Sequence, residues 1–540
     1  PSQFSDFKII LSQVNQHPNR SYFIYKTIII HNLYGVDIID EAVEICKLRL
    51  FLKLVAQIDS VNLIEPLPDI DFNIKAGNTL VGFATNSEVK QAITQTLDFD
   101  NNLGKITDKA EDVQALYDMF LQAQMEGDDS AADFKTELRR KLDKLNTTLN
   151  HYLAGEYGVD VKSEEDYETW IVSHKPFHWF VEFYGILENG GFDVIIGNPP
   201  YVEYSKVRKD YTILNYKTEK CGNLYAQIFE RSLVITQDLA KIGLIVPHSF
   251  VCTKRMKRLQ DLIENNTQIC WNSNYAERPS KLFTGAEVLL SISICSKGIN
   301  NSPNIYSTDL RKWVVNYRKH LFETTTYIDI GAKIREYLFQ KFSDKIEVSI
   351  SRKLFNYENK LSLLLSQKKT DCKIFYRIGG GRYWKIFTNF QPRFILNGIK
   401  STSSRENYLY FEDQKDRDIA INSLSSSLFY WYFLITTNGR DLNPFDLKEF
   451  PIVKNGNEEL FSSLNSKLMS DYKMNKSLKS KTSSLTGDIE YEEFYPRKSK
   501  SIIDEIDKNL AEHYGFTDEE LDFIINYDIK YRMGKELNPD

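Results

Sequence analysis

An apolar run of strand length ends abruptly within residues 191–204, GFDVIIGNPPYVEY. Two consecutive prolines end it, since neither carries a backbone N–H and both hold φ near −65°. In isolation, Asn-Pro-Pro is only a rigid turn that closes a strand. Here it follows an apolar run and leads into Tyr201, so the strand's carboxyl end presents an amide, a fixed carbonyl and a flat ring. Ligands of doubly wound α/β sheets collect at such ends.

The rest of the chain fits that setting. TIIIHNLYGVDI (27–38) is rich in β-branched residues and predicts a strand ending at a Gly-Val-Asp turn. DEAVEICKLRLFLKLVAQI (40–58) has helical apolar spacing with acids at its start. DFNIKAGNTLVGF (71–83) predicts a second short strand with a Gly-Asn turn. Further on, 223–239 reads as a helix, KIGLIVPHSFV (241–251) as a buried strand and AEVLLSISIC (286–295) as another strand. Strands separated by helices predict a mainly parallel sheet of the α/β class, with the polar turns after Val36, Ala76 and Ile196 at strand ends.

The 540 residues are too many for one core, and the texture divides them. Residues 1–85 and 176–300 carry the α/β pattern, and 86–175 predict a helical insertion built as a hairpin. Residues 301–472 predict a mixed α+β domain, and 473–540 a polar Lys/Ser-rich link followed by two helices around Thr517-Asp518-Glu519-Glu520. The net charge of −6 is unevenly spread. Residues 98–170 carry a balance of −10, whereas 297–405 carry +13. A basic block in an acidic protein is a candidate polyanion surface, the alternative being a solvated face without a partner. Six scattered cysteines without a CxxC pair point to a reducing, cytoplasmic setting and to no structural zinc. His174 and His178 share a helical spacing but have no third ligand candidate, so no metal site is expected.

The Asn-Pro-Pro-Tyr group suits one chemistry well. The exocyclic amine of adenine is a weak nucleophile because its lone pair is delocalised into the ring. The Asn198 side-chain oxygen and the Pro199 carbonyl, held by the φ of Pro199 and Pro200, are placed to accept the N6 hydrogens and free that lone pair. Tyr201 offers a stacking face, and a base reaches it only when flipped from the duplex.

These residues resemble the gamma-class N6-adenine DNA methyltransferases, and among them the large type IIG restriction-modification and phage-defence proteins. LYGVDI resembles the acidic turn that holds the ribose of S-adenosylmethionine, which assigns Asp37 that role. IKAGNTLVG places Asn78 near the cofactor adenine, with Gly77 permitting close approach. GNPPY matches the catalytic motif, with Asn198 favouring adenine N6, and KLFTGAEVLLSISI places Phe283 against the flipped base. The resemblance implies a Rossmann-like methyltransferase sheet, and a target-recognition domain reading double-stranded DNA. Candidate DNA contacts are Arg377, Arg382, Tyr383 and Lys385 around the triple glycine, with Arg440 in TNGRDLNP. A flexible β-turn is the alternative for that glycine run.

One family element is absent. The glycine-rich cofactor loop belongs on a strand before residue 27, yet SQFSDFKIILSQVNQHPNRSYF contains no glycine. The expectation is a sheet whose N-terminal part is missing, supplied by an upstream domain or subunit. Rival readings are a non-catalytic DNA-recognition or scaffold part of a split or truncated enzyme, and an NPPY methyltransferase acting on protein or RNA.

Overall fold

In the computed structural model, which describes residues 5–95, 102–285, 287–299, 303–381, 383–452, 458–484 and 487–534, the isoleucine-rich stretch before Gly35 is helical. This corrects the strand expected over 27–38. Helix α1 (Ser5–Gln16) is followed by α2 (Arg20–Asn32), capped by Asn19 Oδ1 accepting from Tyr22 N at 2.9 Å. Tyr22, Lys26, Ile29 and Ile30 are its buried residues, a spacing that lies on one helix face. That burial outweighs the few tenths of a kcal/mol by which β-branched residues disfavour a helix. Only β1 (Gly35–Asp37) remains extended, and it pairs in parallel with β2 (Ile74–Ala76). Helix α3 (Asp40–Val55) begins just beyond β1.

The chain divides into two units, Pro1–Ile242 with Ser296–Gly298, and Gly243–Cys295 with Ile299–Asp540. In the first, helices run over α4 (Asn86–Gln95), α5 (Asn102–Glu126), α6 (Ala131–Glu156) and α7 (Glu164–His174). Helices α5 and α6 form the hairpin, turned near Gly127 at φ 71°. Leu138, Leu142, Leu145, Leu149 and Leu153 of α6 are buried in a core shared with Val113, Phe120 and Trp170. A charge network fixes α6 to the α/β part: Asp71 accepts from Lys47 at 2.8 Å, Lys135 at 2.7 Å and Arg139 at 3.2 Å.

Strand β3 (Phe192–Gly197) lies beside β4 (Thr236–Pro247), with Phe192 N donating to Ile235 O at 2.9 Å. The helix expected over 223–239 ends at Val234, because Thr236 already opens β4. In the second unit the strands run in the order β4, β6 (Leu290–Lys297), β5 (Thr267–Tyr275), β7 (Asn304–Arg311), β8 (Ile328–Asp329). Strands β5 and β7 are parallel and β7 and β8 antiparallel. The fold is thus mixed α/β.

Two small antiparallel sheets follow. One is β10 (Phe387–Thr388), β9 (Lys373–Arg377), β13 (Glu406–Tyr410); the other is β12 (Ile399–Lys400), β11 (Phe394–Leu396), β15 (Gly487–Glu493), β14 (Ser477–Ser483). Strand β14 corrects the polar link expected over 473–484. Its small and charged residues pair across the ladder, Thr482 Oγ1 donating to Asp488 at 2.7 Å, and Lys476 just before it meets Glu492 at 2.7 Å. The predicted C-terminal helices are present at Lys500–Tyr514 and Asp518–Asn526, the second opened by a Thr517/Glu520 capping box. No described helix is long and apolar enough to cross a membrane.

Candidate active site

Strand β3 delivers Asn198, Pro199, Pro200 and Tyr201 to its carboxyl end. Pro199 is buried, whereas Asn198 is exposed. The Tyr201 hydroxyl donates to Asn198 Oδ1 at 2.5 Å, fixing the amide plane. Burial pushes the Tyr201 phenol up to about 12, so it remains a donor throughout the neutral range.

The segment after Tyr201 is tied to the helix Leu224–Val234 by contacts that the sequence reading did not single out. Leu224 N donates to Val202 O at 3.0 Å, and Tyr204 N to Gly222 O at 2.9 Å. Asn223 Nδ2 donates to Glu203 at 3.3 Å. The Glu230 carboxylate accepts from Lys217 N, Thr218 N and Thr218 Oγ1 at 3.0, 2.9 and 2.7 Å. Asn223 at the start of a predicted helix was the only visible sign, since it sits at an N-cap position.

Asp37, Gly77 and Asn78 meet at the ends of β1 and β2. Gly77 N donates to Asp37 O at 2.8 Å, and the exposed Asp37 carboxylate accepts from Ile39 N at 2.8 Å. Gly77 has no room for a side chain, because an added Cβ would lie 2.8 Å from Phe177 Cβ. Asn78 is buried; its Oδ1 accepts from Leu80 N at 3.1 Å, while its Nδ2 has no hydrogen-bond partner. Leaving such a donor unmet costs about 1–3 kcal/mol. A cavity of about 900 Å³ opens nearby between α3, β2 and α6, lined by Asp40 and Ala76 but not by Asn198 or Tyr201.

The two strand ends share a layer. Tyr34 and Val36 around β1, and Phe192 and Ile195 of β3, all pack on the cluster of Phe177, Trp179 and Phe183. Among the described residues β1 pairs only with β2, and β3 only with β4. On β3, Val194 and Ile196 are 62% and 87% exposed. The α3 residues Ile45, Leu48, Leu52 and Val55 are also exposed.

In the second unit, Phe283 lies in the segment between β5 and β6, 38% exposed. Arg377 is exposed at the end of β9, and Tyr383 faces Tyr531 with ring centroids 6.1 Å apart. Lys385 is buried rather than presented to solvent: its ammonium donates to Gly380 O and Arg440 O, both at 3.4 Å. Burial lowers its pKa to about 8. Arg440 is exposed. Arg382 lies outside the described residues.

This arrangement, a strand ending in Asn-Pro-Pro-Tyr beside an Asp/Gly-Asn pair of turns, falls within one stretch of the chain. Residues 31–282 match the Eco57I restriction-modification methylase family. The matched segment thus holds Asp37, Gly77, Asn78 and the β3 end, but not Arg377, Tyr383, Lys385 or Arg440. The chain is 28% identical over 331 residues to RM.MjaORFECS2P of Methanocaldococcus jannaschii, a restriction enzyme and methyltransferase, covering 51% of this chain and 27% of that protein. It is 24% identical over 176 residues to the type II restriction enzyme and methyltransferase RM.Eco57I of Escherichia coli, covering 31% and 16%. The matched parts therefore span about a quarter or less of these relatives. Among solved structures, the type IIL restriction-modification enzyme MmeI in complex with DNA aligns at a TM-score of 0.34 with 12% identity, covering 64% of this chain and 57% of that one.

Proposed function

We propose that the chain is the methyl-transferring and target-reading part of a site-specific DNA adenine-N6 methyltransferase, acting in restriction-modification or phage defence. The observation that carries this reading is the end of β3, where Tyr201 holds the Asn198 amide with the Pro199 carbonyl beside it in sequence. Asn198 Oδ1 and Pro199 O accept the two N6 hydrogens of a flipped adenine. Their pull moves the nitrogen toward tetrahedral geometry and localises its lone pair for attack. Tyr201 stacks on the base. After transfer, the nitrogen loses one hydrogen as a proton to water.

The proposed cofactor is S-adenosylmethionine, which when bound supplies an electrophilic methyl on its sulfonium sulfur. The residues present fit part of it. The unmet Asn78 Nδ2 suits a ring nitrogen of its adenine, and the exposed Asp37 carboxylate suits the ribose hydroxyls, whereas the space at Gly77 is taken by Phe177. Nothing comparable is at hand for its amino-acid end. The unpaired edges of β1 and β3 over one aromatic layer favour a further strand from an upstream segment or subunit, which would bring those groups. Double-stranded DNA is the proposed substrate, read by the basic second unit, with phosphate contacts setting affinity and its salt dependence.

The test is methyl transfer from labelled S-adenosylmethionine to mixed-sequence duplex DNA by the chain, by a form extended upstream, and by that form with Asn198→Ala. Label on adenine N6 from the extended form alone, abolished by Asn198→Ala, is the expected result. Label on protein or RNA but not DNA would replace the substrate. Cofactor-independent DNA binding with no transfer from any form would leave a recognition subunit.

A further inference from the structure

Gly380 and Tyr383 of the second unit meet Gly439, Arg440 and Asp441 at one cavity. Ile378 N donates to Arg405 O at 3.0 Å and Leu442 N to Ile378 O at 2.8 Å, laying three segments side by side. The buried Lys385 ammonium ties the Gly380 and Arg440 carbonyls together and sits 4.3 Å over the Phe433 ring. The cavity has a volume of about 230 Å³, and its charged lining is dominated by Glu277, Arg278, Glu287, Arg405, Arg440 and Asp441. Gly379 leaves room for two of these groups: an added Cβ would stand 2.8 Å from Arg405 Nη1 and 3.4 Å from Asp441 Oδ1.

Three guanidinium groups and three carboxylates line it, and that mixture selects the ligand. A phosphate would be repelled by the carboxylates. A purely cationic ligand would meet the arginines. What remains is a neutral, polar ring presenting donors on one edge and acceptors on another. Two buried atoms lack hydrogen-bond partners here, the acceptor Glu277 Oε2 and the donor Arg278 Nε. Arg278 is held by Glu287 at 2.6 Å, whereas Arg440 reaches Glu277 only at 3.9 Å and is 57% exposed. The volume is below the roughly 300–1,000 Å³ of pockets for drug-sized ligands, so one heterocycle fits and a sugar-phosphate stays outside.

We propose that this cavity binds a guanine base. The Glu277 carboxylate accepts from guanine N1–H and N2–H, and an arginine, Arg278 or Arg440, donates to O6 and N7. Adenine fails both contacts, offering an N6 donor where guanine has O6 and an unprotonated N1 where the carboxylate needs a donor. The base comes either from a free guanine nucleotide or from a guanine unstacked in DNA. This pocket is independent of the β3 site, and its test reads binding without methyl transfer.

Isothermal titration of the full chain with dGMP, dAMP and dIMP, and with duplexes bearing one bulged guanine or adenine, decides it. We expect dGMP to bind at least tenfold more tightly than dAMP, with dIMP about tenfold weaker than dGMP because it lacks the N2 amine. Glu277→Gln removes the guanine preference with the melting temperature unchanged. Should that variant misfold, the dIMP comparison carries the test on the native chain. A bulged-guanine duplex binding at least tenfold more tightly than the bulged-adenine duplex assigns the pocket to DNA, and equal binding of the two duplexes beside a dGMP preference assigns it to the free nucleotide. No binding of any probe, equal affinity for all bases, or a preference that survives Glu277→Gln in folded protein overturns the proposal.

Discussion

At the scale of single residues, the pair Asn198 and Tyr201 sets the sharpest expectations. Removing the acceptor with Asn198→Ala is expected to lower kcat by about 10²–10³-fold, the usual effect of deleting one preorganised polar group at a reacting centre. Tyr201→Phe keeps the ring but releases the amide, and a loss of about tenfold is expected, in line with one hydrogen bond. Because burial raises the phenol to about 12, the donor form persists well above neutrality. The pH–rate profile of an active extended form should therefore show no inflection from Tyr201 between pH 6 and 10. Gly77→Ala drives a Cβ against Phe177, whose own Cβ moves only with its backbone. A destabilisation of about 1–3 kcal/mol is expected, and an unchanged melting temperature would refute that contact. The candidate catalytic group was legible because it is contiguous in sequence and chemically unusual. The groups that brace the following segment, Asn223 on Glu203 and Glu230 on Lys217 and Thr218, were not, since a polar residue a dozen or more positions away announces no partner.

Among the elements, the α5–α6 hairpin gives the clearest case of acid sensitivity. Burial alone would raise the Asp71 carboxyl, but Lys135 and Lys47 outweigh it and hold the group down to about 2. A carboxyl with a depressed folded pKa stabilises the fold above its ordinary value near 3.8, and that contribution is lost as pH falls toward 2. Hydrogen exchange along α6 should accelerate across that window, and Asp71→Asn should remove most of the dependence while loosening α6 at neutral pH. The hairpin was readable because long amphipathic helices repeat one signal many times. The stretch at 27–38 was misread because β-branched content outweighed spacing, although Tyr22, Lys26, Ile29 and Ile30 already lay on one helix face. The 473–484 link was misread for the opposite reason: its strand is polar on both sides and is specified by cross-strand partners, which local sequence does not reveal.

For the molecule as a whole, the uncovered surface is the informative quantity. Val194 and Ile196 on β3, with Ile45, Leu48 and Leu52 on α3, expose an unusual amount of aliphatic surface within one unit. The chain alone should bind a hydrophobic dye and self-associate at micromolar concentration. Val194→Thr with Ile196→Thr should reduce both, measured by dye fluorescence and light scattering. No difference in dye binding would show that this face is not what the dye reports. The two units were not legible as such, because a sequence shows where texture changes but not which strands a later segment joins.

The strand that ends in Asn198 is also a strand with a bare edge. Among the described residues β4 alone braces β3, so the position of the tetrapeptide answers to the order of one neighbouring strand. Loosening β4 alone would then blur the placement of Asn198 and Tyr201 without touching either side chain.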